Sequence, residues 1–278
     1  MLGLRLLTAA VGIPILLLVL WLGHPWLGVL VAIVALLGAI EMGELLTRAG
    51  LPPATGLVAL FGVAAVAAAA SITLTGVWLF VAWLVLLVVA SAIAGLGRAD
   101  GRSALGAWLA TLGGATYVAM LAFLLLIALS VRPDSATGPL VAWLDAGRAW
   151  LLVVVLVVWA YDSAAYLIGR SWGRGQFFNQ LSPNKTWSGA IGGGLAAIAA
   201  GLALGWLIGR PLEGAGLGVL VSFSAPIGDL AQSALKRAAE VKDSGRLFPG
   251  HGGMLDRVDA LVLVAPLAWL YLVAVGLG

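Results

Sequence analysis

The sequence predicts an all-α, polytopic integral membrane protein of about nine transmembrane helices, with its N-terminus cytoplasmic and its C-terminus outside. Three observations carry this. Of the 278 residues, 62% are hydrophobic and only 10% are charged, with a mean hydropathy of +1.10. A soluble domain carries roughly a quarter charged residues, so this much apolar surface cannot enter one core and lipid must solvate most of it. Apolar runs of bilayer length recur along the whole chain. Lys and Arg are dense in alternate connections and sparse in the others.

A helical span needs about 17–25 apolar residues. Such runs lie near 6–23, 26–46, 57–74, 77–96, 105–129, 149–168, 189–208, 215–236 and 259–277. The first is long, and no small-x-small cleavage site precedes His24-Pro25, so it is expected to be a retained span, not a signal peptide. The third and fourth are separated only by Thr75-Gly76 and should form a tight helical hairpin. The Ala-rich stretch at 64–70 and the three glycines at 192–194 suit close helix packing.

With nine spans, one side receives Arg5, Arg48, Arg98, Arg102, Arg170, Arg174, Lys185, Lys236, Arg237, Lys242, Arg246 and Arg257, and the other Arg132, Arg148 and Arg210. Twelve cations against three place the richer side in the cytoplasm. Dropping one span would scramble the two sets. Trp21, Trp26, Trp78, Trp150, Trp206 and Trp269 fall near span ends, where interfacial anchors sit. The absence of cysteine excludes a disulfide framework and a thiolate metal site. The chain divides into five N-terminal spans over 1–148, read as scaffold, and four spans over 149–278 with the chemistry at their cytoplasmic face.

That chemistry is concentrated in two places. The eighth span reads SFSAPIGDLAQSALKR over 222–237. Pro226 and Gly228 are expected to interrupt the helix there. From Asp229, the helical positions i+3, i+4 and i+7 are Gln232, Ser233 and Lys236, so one face carries a carboxylate, an amide, a hydroxyl and an ammonium. A carboxylate inside a span is expensive. Asp229 and Lys236 are separated by about 10 Å of rise, too far for a close pair, so a polar face toward a watery cavity is expected. The sixth span ends WAYDSAAYLIGRSWGRG over 159–175, with Asp162, Tyr166 and Arg170 on one face. It is followed by LSPNKTWSG over 181–189, where Ser182-Pro183-Asn184 signals a turn that presents Lys185.

The second place is PGHGGMLDRVD over 249–259. Glycines 245, 250, 252 and 253 let backbone amides approach an anion. Asp256 and Asp259 share a face at the start of the last span, where one of them would suffice as a cap. With Asp229 they suggest a hard-cation site, and oxygen donors without cysteine favour magnesium over zinc. His251 is expected either to hydrogen-bond within its loop or to act directly. Magnesium, clustered cations and glycine amides together describe a polyphosphate site, although no Walker A or Rossmann glycine motif is present.

The run SALKRAAEVKDSGRLFPGHGGMLDRVD over 233–259 resembles the signature of phosphatidate cytidylyltransferases, or CDP-diacylglycerol synthases. Gly228-Asp229, SPNKTWSG and Asp162-x3-Tyr166-x2-Gly169-Arg170 are similar to segments of that family. The family usually has an acidic residue where Trp187-Ser188 stand, a departure that leaves Lys185 unaffected. The resemblance covers roughly the last 120 residues. It implies transfer from CTP to phosphatidate, giving CDP-diacylglycerol and pyrophosphate, with Mg2+ as cofactor and an additional monovalent cation left open. It implies that Asp229 and Asp256 hold the metal, with Asp259 as a further ligand. Lys236, Arg237, Lys242 and Arg257 then neutralise phosphate charge and Lys185 and Arg170 reach in from the neighbouring loop. Asp162, Ser182, Ser233 and Asp243 border the substrates, and the amides of Gly250, Gly252 and Gly253 cradle phosphate oxygens. The expected setting is a multi-pass protein of the inner (plasma) membrane, a homodimer in the lipid bilayer, with no nucleic-acid partner. A CTP-dependent polyprenol or phytol kinase-like enzyme is the alternative. An ion-coupled transporter is weaker, because no inverted repeat is visible and the polar residues gather on one side.

Overall fold

The computed structural model describes residues 2–71, 76–176, 181–182, 184–248 and 252–278. It is built from α-helices, with no strand among the described residues. They are α1 (Leu2–Leu22), α2 (Trp26–Arg48), α3 (Thr55–Ala70), α4 (Gly76–Leu96), α5 (Gly101–Ala119), α6 (Ala122–Ser130), α7 (Ala146–Trp172), α8 (Trp187–Leu207), α9 (Pro211–Ala238) and α10 (Leu255–Ala274). Among the described residues, seven helical stretches are long and apolar enough to cross a membrane. Ala10–Leu22 and Thr55–Ala70 are apolar but shorter. Large apolar side chains such as Trp78, Leu96, Trp206, Leu212 and Phe223 point outward, as side chains facing lipid do.

Two local expectations are corrected. The fifth apolar run is two helices, α5 and α6, separated by Met120-Leu121. The third span's helix ends at Ala70 and α4 begins at Gly76; the expected turn at Thr75-Gly76 falls on residues 72–75, which lie outside the described residues. Pro226 and Gly228 do not interrupt α9, which is continuous from Pro211 to Ala238. The proline removes one amide hydrogen, but in lipid no water can satisfy the groups freed by ending a helix, so the ladder resumes immediately.

The chain forms two compact units. One comprises residues 1–125 and 235–258, the other 126–234 and 259–278. In the first, α2, α3 and α5 pack on one another, α4 packs on α3 and α5, and α1 packs on α2. Its core includes Phe61, Leu87 and Ala115. Trp83 meets Phe61 edge-on at 6.2 Å between ring centres and donates its indole N–H to the Phe61 carbonyl at 2.9 Å. α2 buries Leu27, Val31, Ala35, Gly38, Ala39, Met42 and Leu45 along one stripe, as helical spacing dictates. Gly38 on that stripe admits the fully buried Leu255, whose Cδ2 lies 3.0 Å from where a Cβ would be.

In the second unit α7 packs along α8. α7 is lined with buried Trp150, Val153, Val154, Val157 and Val158. Gly201 of α8 and Gly214 of α9 meet so closely that neither has room for a side chain, the close approach that small residues allow in membranes. Tyr271 of α10 donates to the Glu213 carbonyl at 2.8 Å, and Trp269 donates to Ser130 Oγ at 2.9 Å.

Candidate active site

The signature run lies mostly in the first unit. α9 ends in a left-handed cap: Glu240 has φ 55°, and Val241 N donates to the Lys236 carbonyl at 2.9 Å, the Schellman pattern that turns a chain sharply out of a helix. The loop that follows closes on Asp256. Asp256 Oδ2 accepts from Ser244 N at 2.8 Å, Ser244 Oγ at 3.0 Å and Gly253 N at 3.0 Å. Its Oδ1 accepts from Lys236 Nζ at 2.8 Å, an ion pair with side chains only 13% and 7% exposed. The Gly253 amide is therefore spent inside the loop. Phe248 N donates to the Gly252 carbonyl at 2.9 Å. Gly252 has φ 80°, and a Cβ there would meet Asp256 Oδ2 at 2.5 Å, so only glycine serves.

A second carboxylate holds the same loop from the other side. Glu41, in the middle of an otherwise apolar stretch of α2, is 8% exposed. Its Oε1 accepts from Met254 N at 2.7 Å. Its Oε2 accepts from Leu255 N at 2.9 Å and from Ser244 Oγ at 2.8 Å. The Ser244 hydroxyl thus lies against both carboxylates, and its single proton serves one of them at a time, Glu41 at the shorter distance. Glu41 was missed in the sequence, where the available signal was an acidic residue within a span, with Glu44 three residues on. Beside it, the end of α2 (Glu44, Leu45 and Arg48) and residues 241–246 enclose a cavity of about 610 Å³. Arg48, Lys242 and Arg246 bring positive charge to its lining and Glu44 and Asp243 negative charge.

The second unit contains the two other sequence-predicted carboxylates, Asp229 and Asp259. Lys185 Nζ forms an ion pair with Asp229 Oδ2, with side chains 23% and 35% exposed. The contact has ion-pair distance without hydrogen-bond alignment, and among the described residues Lys185 Nζ has no hydrogen-bond partner. The turn that delivers Lys185 is as expected: Lys185 N donates to the Ser182 carbonyl at 3.2 Å. Thr186 Oγ1 caps α8 by accepting from Gly189 N at 3.1 Å. Ser188 Oγ ties the turn to the end of α7 by donating to the Trp172 carbonyl and accepting from Arg174 N, both at 3.0 Å. Gly228, just before Asp229, lets the Asp259 carbonyl come within 2.9 Å of where its Cβ would be, which brings α9 and α10 together at these two acidic positions. Asp259 Oδ1 accepts from Ala260 N at 2.8 Å.

The remaining predicted residues fall as follows. Arg170 Nη1 donates to Tyr166 OH at 2.8 Å, and Asp162, Tyr166 and Arg170 are all exposed. Ser233 is buried, whereas Arg237, Lys242, Asp243 and Arg257 are exposed. Lys236 and Asp229 do not pair with each other; each takes a different partner. His251 and Gly250 lie outside the described residues, as does Pro183 of the turn. Among the described residues, no three His, Asp or Glu side chains converge as a ready-made metal cage.

The model of the cytidylyltransferase family matches residues 3–275. A phosphatidate cytidylyltransferase of Brucella suis biovar 1 (strain 1330) is 50% identical over 128 residues, covering 45% of this chain and 47% of that protein. One from Synechocystis sp. (strain ATCC 27184 / PCC 6803 / Kazusa) is 41% identical over 129 residues, 44% of each chain. One from Staphylococcus aureus (strain COL) is 39% identical over 124 residues, 44% of this chain and 48% of that protein. The chain thus spans about half the length of the curated relatives it matches. With nearly its whole length matched by the family model, the chain belongs to the cytidylyltransferase family.

Proposed function

We propose that this protein transfers the cytidylyl group of CTP to phosphatidate at the cytoplasmic membrane surface, forming CDP-diacylglycerol and releasing pyrophosphate. The observation that carries the reading is the run 233–259, whose described residues lead from the end of α9 through a loop clamped on Asp256 into α10, beside a cavity to which Arg48, Lys242 and Arg246 bring positive charge, in a member of this family. The names of the relatives support the same reaction.

The chemistry asks little of a general base. The attacking phosphate monoester oxygen is ionised at neutral pH, so catalysis reduces to alignment and neutralisation of several phosphate charges. Lys185, Lys236, Arg237, Lys242 and Arg257 supply that neutralisation in this reading, and Arg170 assists from the end of α7. Lys185 suits the task because its ammonium, half-buried against Asp229, has hydrogen-bonding capacity left for a phosphate. Asp229, Asp256 and Asp259 would hold Mg2+, which when bound offsets charge on the phosphoryl oxygens. The donor set fits, since magnesium uses one or two carboxylates with waters and substrate phosphates and needs no all-protein cage. Asp229 Oδ1 has no protein partner among the described residues.

The reading extends to nine spans with the N-terminus inside, a homodimer, and residence in the inner membrane. The test is direct. Purified protein in nanodiscs receives labelled CTP with phosphatidate, and separately with a polyprenol. Product from phosphatidate that disappears in chelator and returns with Mg2+ is expected, with ATP a poor donor. Product from the polyprenol alone would favour the kinase alternative. Reporter fusions at Gly278 and within 135–145 should both read outside.

A further inference from the structure

We infer that Glu41 of α2 is a positioning residue for the reaction, holding the signature loop and the start of α10 in working geometry. The inference rests on the proposed cytidylyl transfer, because it assigns the loop to catalysis.

The physical case begins with cost. Glu41 is a nearly fully buried acidic side chain in an apolar helix, and such a group persists only where it is fully hydrogen-bonded. Its three donors all come from the segment 244–255. Two of them, Met254 N and Leu255 N, belong to the group of amides that every helix start leaves unpaired. The residue before α10 is Met254, whose side chain cannot cap. Glu41 therefore caps α10 from a different helix, and its charge lies at the positive end of that helix.

The fit is tight on both sides. A Cβ on Gly245 would meet Glu41 Oε1 at 2.5 Å, and a Cβ on Gly253 would collide with Glu41 Oε2. The glycines at 245 and 253 are therefore explained by the carboxylate that packs against them. Ser244 completes the arrangement, with its hydroxyl on Glu41 and its amide on Asp256. Residues 244–246 of the segment so clamped line the cavity together with Glu44 and Arg48 of α2. Glu41, which is not part of that lining, thus fixes the position of the loop against α2.

The experiment uses the full-length protein in nanodiscs, with hydrogen exchange and steady-state kinetics on the same preparations. In Glu41→Ala, exchange should rise in peptides covering 241–256 and stay unchanged in the other helices. kcat/KM for CTP should fall on the order of 10²-fold, the usual penalty for a misplacement of about 1 Å. Glu41→Gln keeps the shape and one acceptor oxygen, so it should fall less and retain part of the protection. Gly245→Ala should be as damaging as Glu41→Ala, and the double variant no worse than Gly245→Ala alone, since both act on one contact. Unchanged exchange over 241–256 in both Glu41 variants would overturn the clamp. Raised exchange with kcat/KM for CTP within about twofold of wild type would overturn the positioning role. If wild-type protein shows the expected protection but makes no CDP-diacylglycerol, the clamp stands and the enzymatic reading fails instead.

Discussion

Asp256 and Asp229 are both acidic residues in membrane helices, both ion-paired to a lysine, yet their surroundings differ sharply. Asp256 is nearly buried and accepts from the Ser244 and Gly253 amides on one oxygen and from Lys236 on the other, with the Ser244 hydroxyl beside it. Asp229 is a third exposed, and its one ion pair among the described residues is with Lys185. The first carboxylate organises its loop as well as serving as a proposed magnesium ligand; the second has little structural duty beside that proposed role. Identical chemistry in a sequence can thus serve order in one place and availability in another, and the donor count is what separates them.

The sharpest way to break this comparison is to remove each charge while keeping shape. Asp229→Asn and Asp256→Asn should each lower turnover by roughly 10²-fold or more, as expected when a contact worth about 3 kcal/mol in the transition state is lost. Only Asp256→Asn should also raise hydrogen exchange across 241–256. If Asp229→Asn disorders that loop equally, or retains near-normal turnover at saturating Mg2+, the contrast is wrong. The two substitutions combined should be little worse than either alone, because both are proposed to serve magnesium.

Smaller effects sharpen the contrast. Lys185→Gln leaves Asp229 without its cation and removes a phosphate donor, so kcat/KM for CTP should drop by about tenfold to 10²-fold, with a weaker salt dependence than wild type. Asp243→Asn, exposed in the cavity wall, should cost less than about tenfold. Glu240→Gly should leave turnover unchanged. It relieves a left-handed conformation that costs a side chain about 1 kcal/mol, visible as slightly slower exchange of the Val241 amide.

Much of this was legible in the sequence because lipid imposes a coarse code: each expected span has a helical counterpart, with α5 and α6 sharing one. The turn at Ser182–Lys185 was legible from local chemistry. The break at Met120-Leu121 was not, because neither residue is a helix breaker and the surrounding run is uniformly apolar. The continuity of α9 through Pro226 ran against propensity, since the membrane penalises a helix end more than one missing hydrogen bond. Glu41 was invisible for a different reason. All three of its donors lie more than 200 residues away, with separations of 203, 213 and 214, and no local pattern encodes such a partner.

Those separations have a consequence during synthesis. A ribosome adds about 5–20 residues per second, so α2 emerges with its acidic side chain roughly 10–40 s before Ser244 and the amides of Met254 and Leu255 exist. Over that interval the helix must lodge in the bilayer, or wait beside the insertion machinery, with a polar group that nothing in the chain yet satisfies. The segment 235–258 then completes a unit whose other members, residues 1–125, are the first part of the chain to be made. Slow or stalled elongation after α9 would prolong the interval.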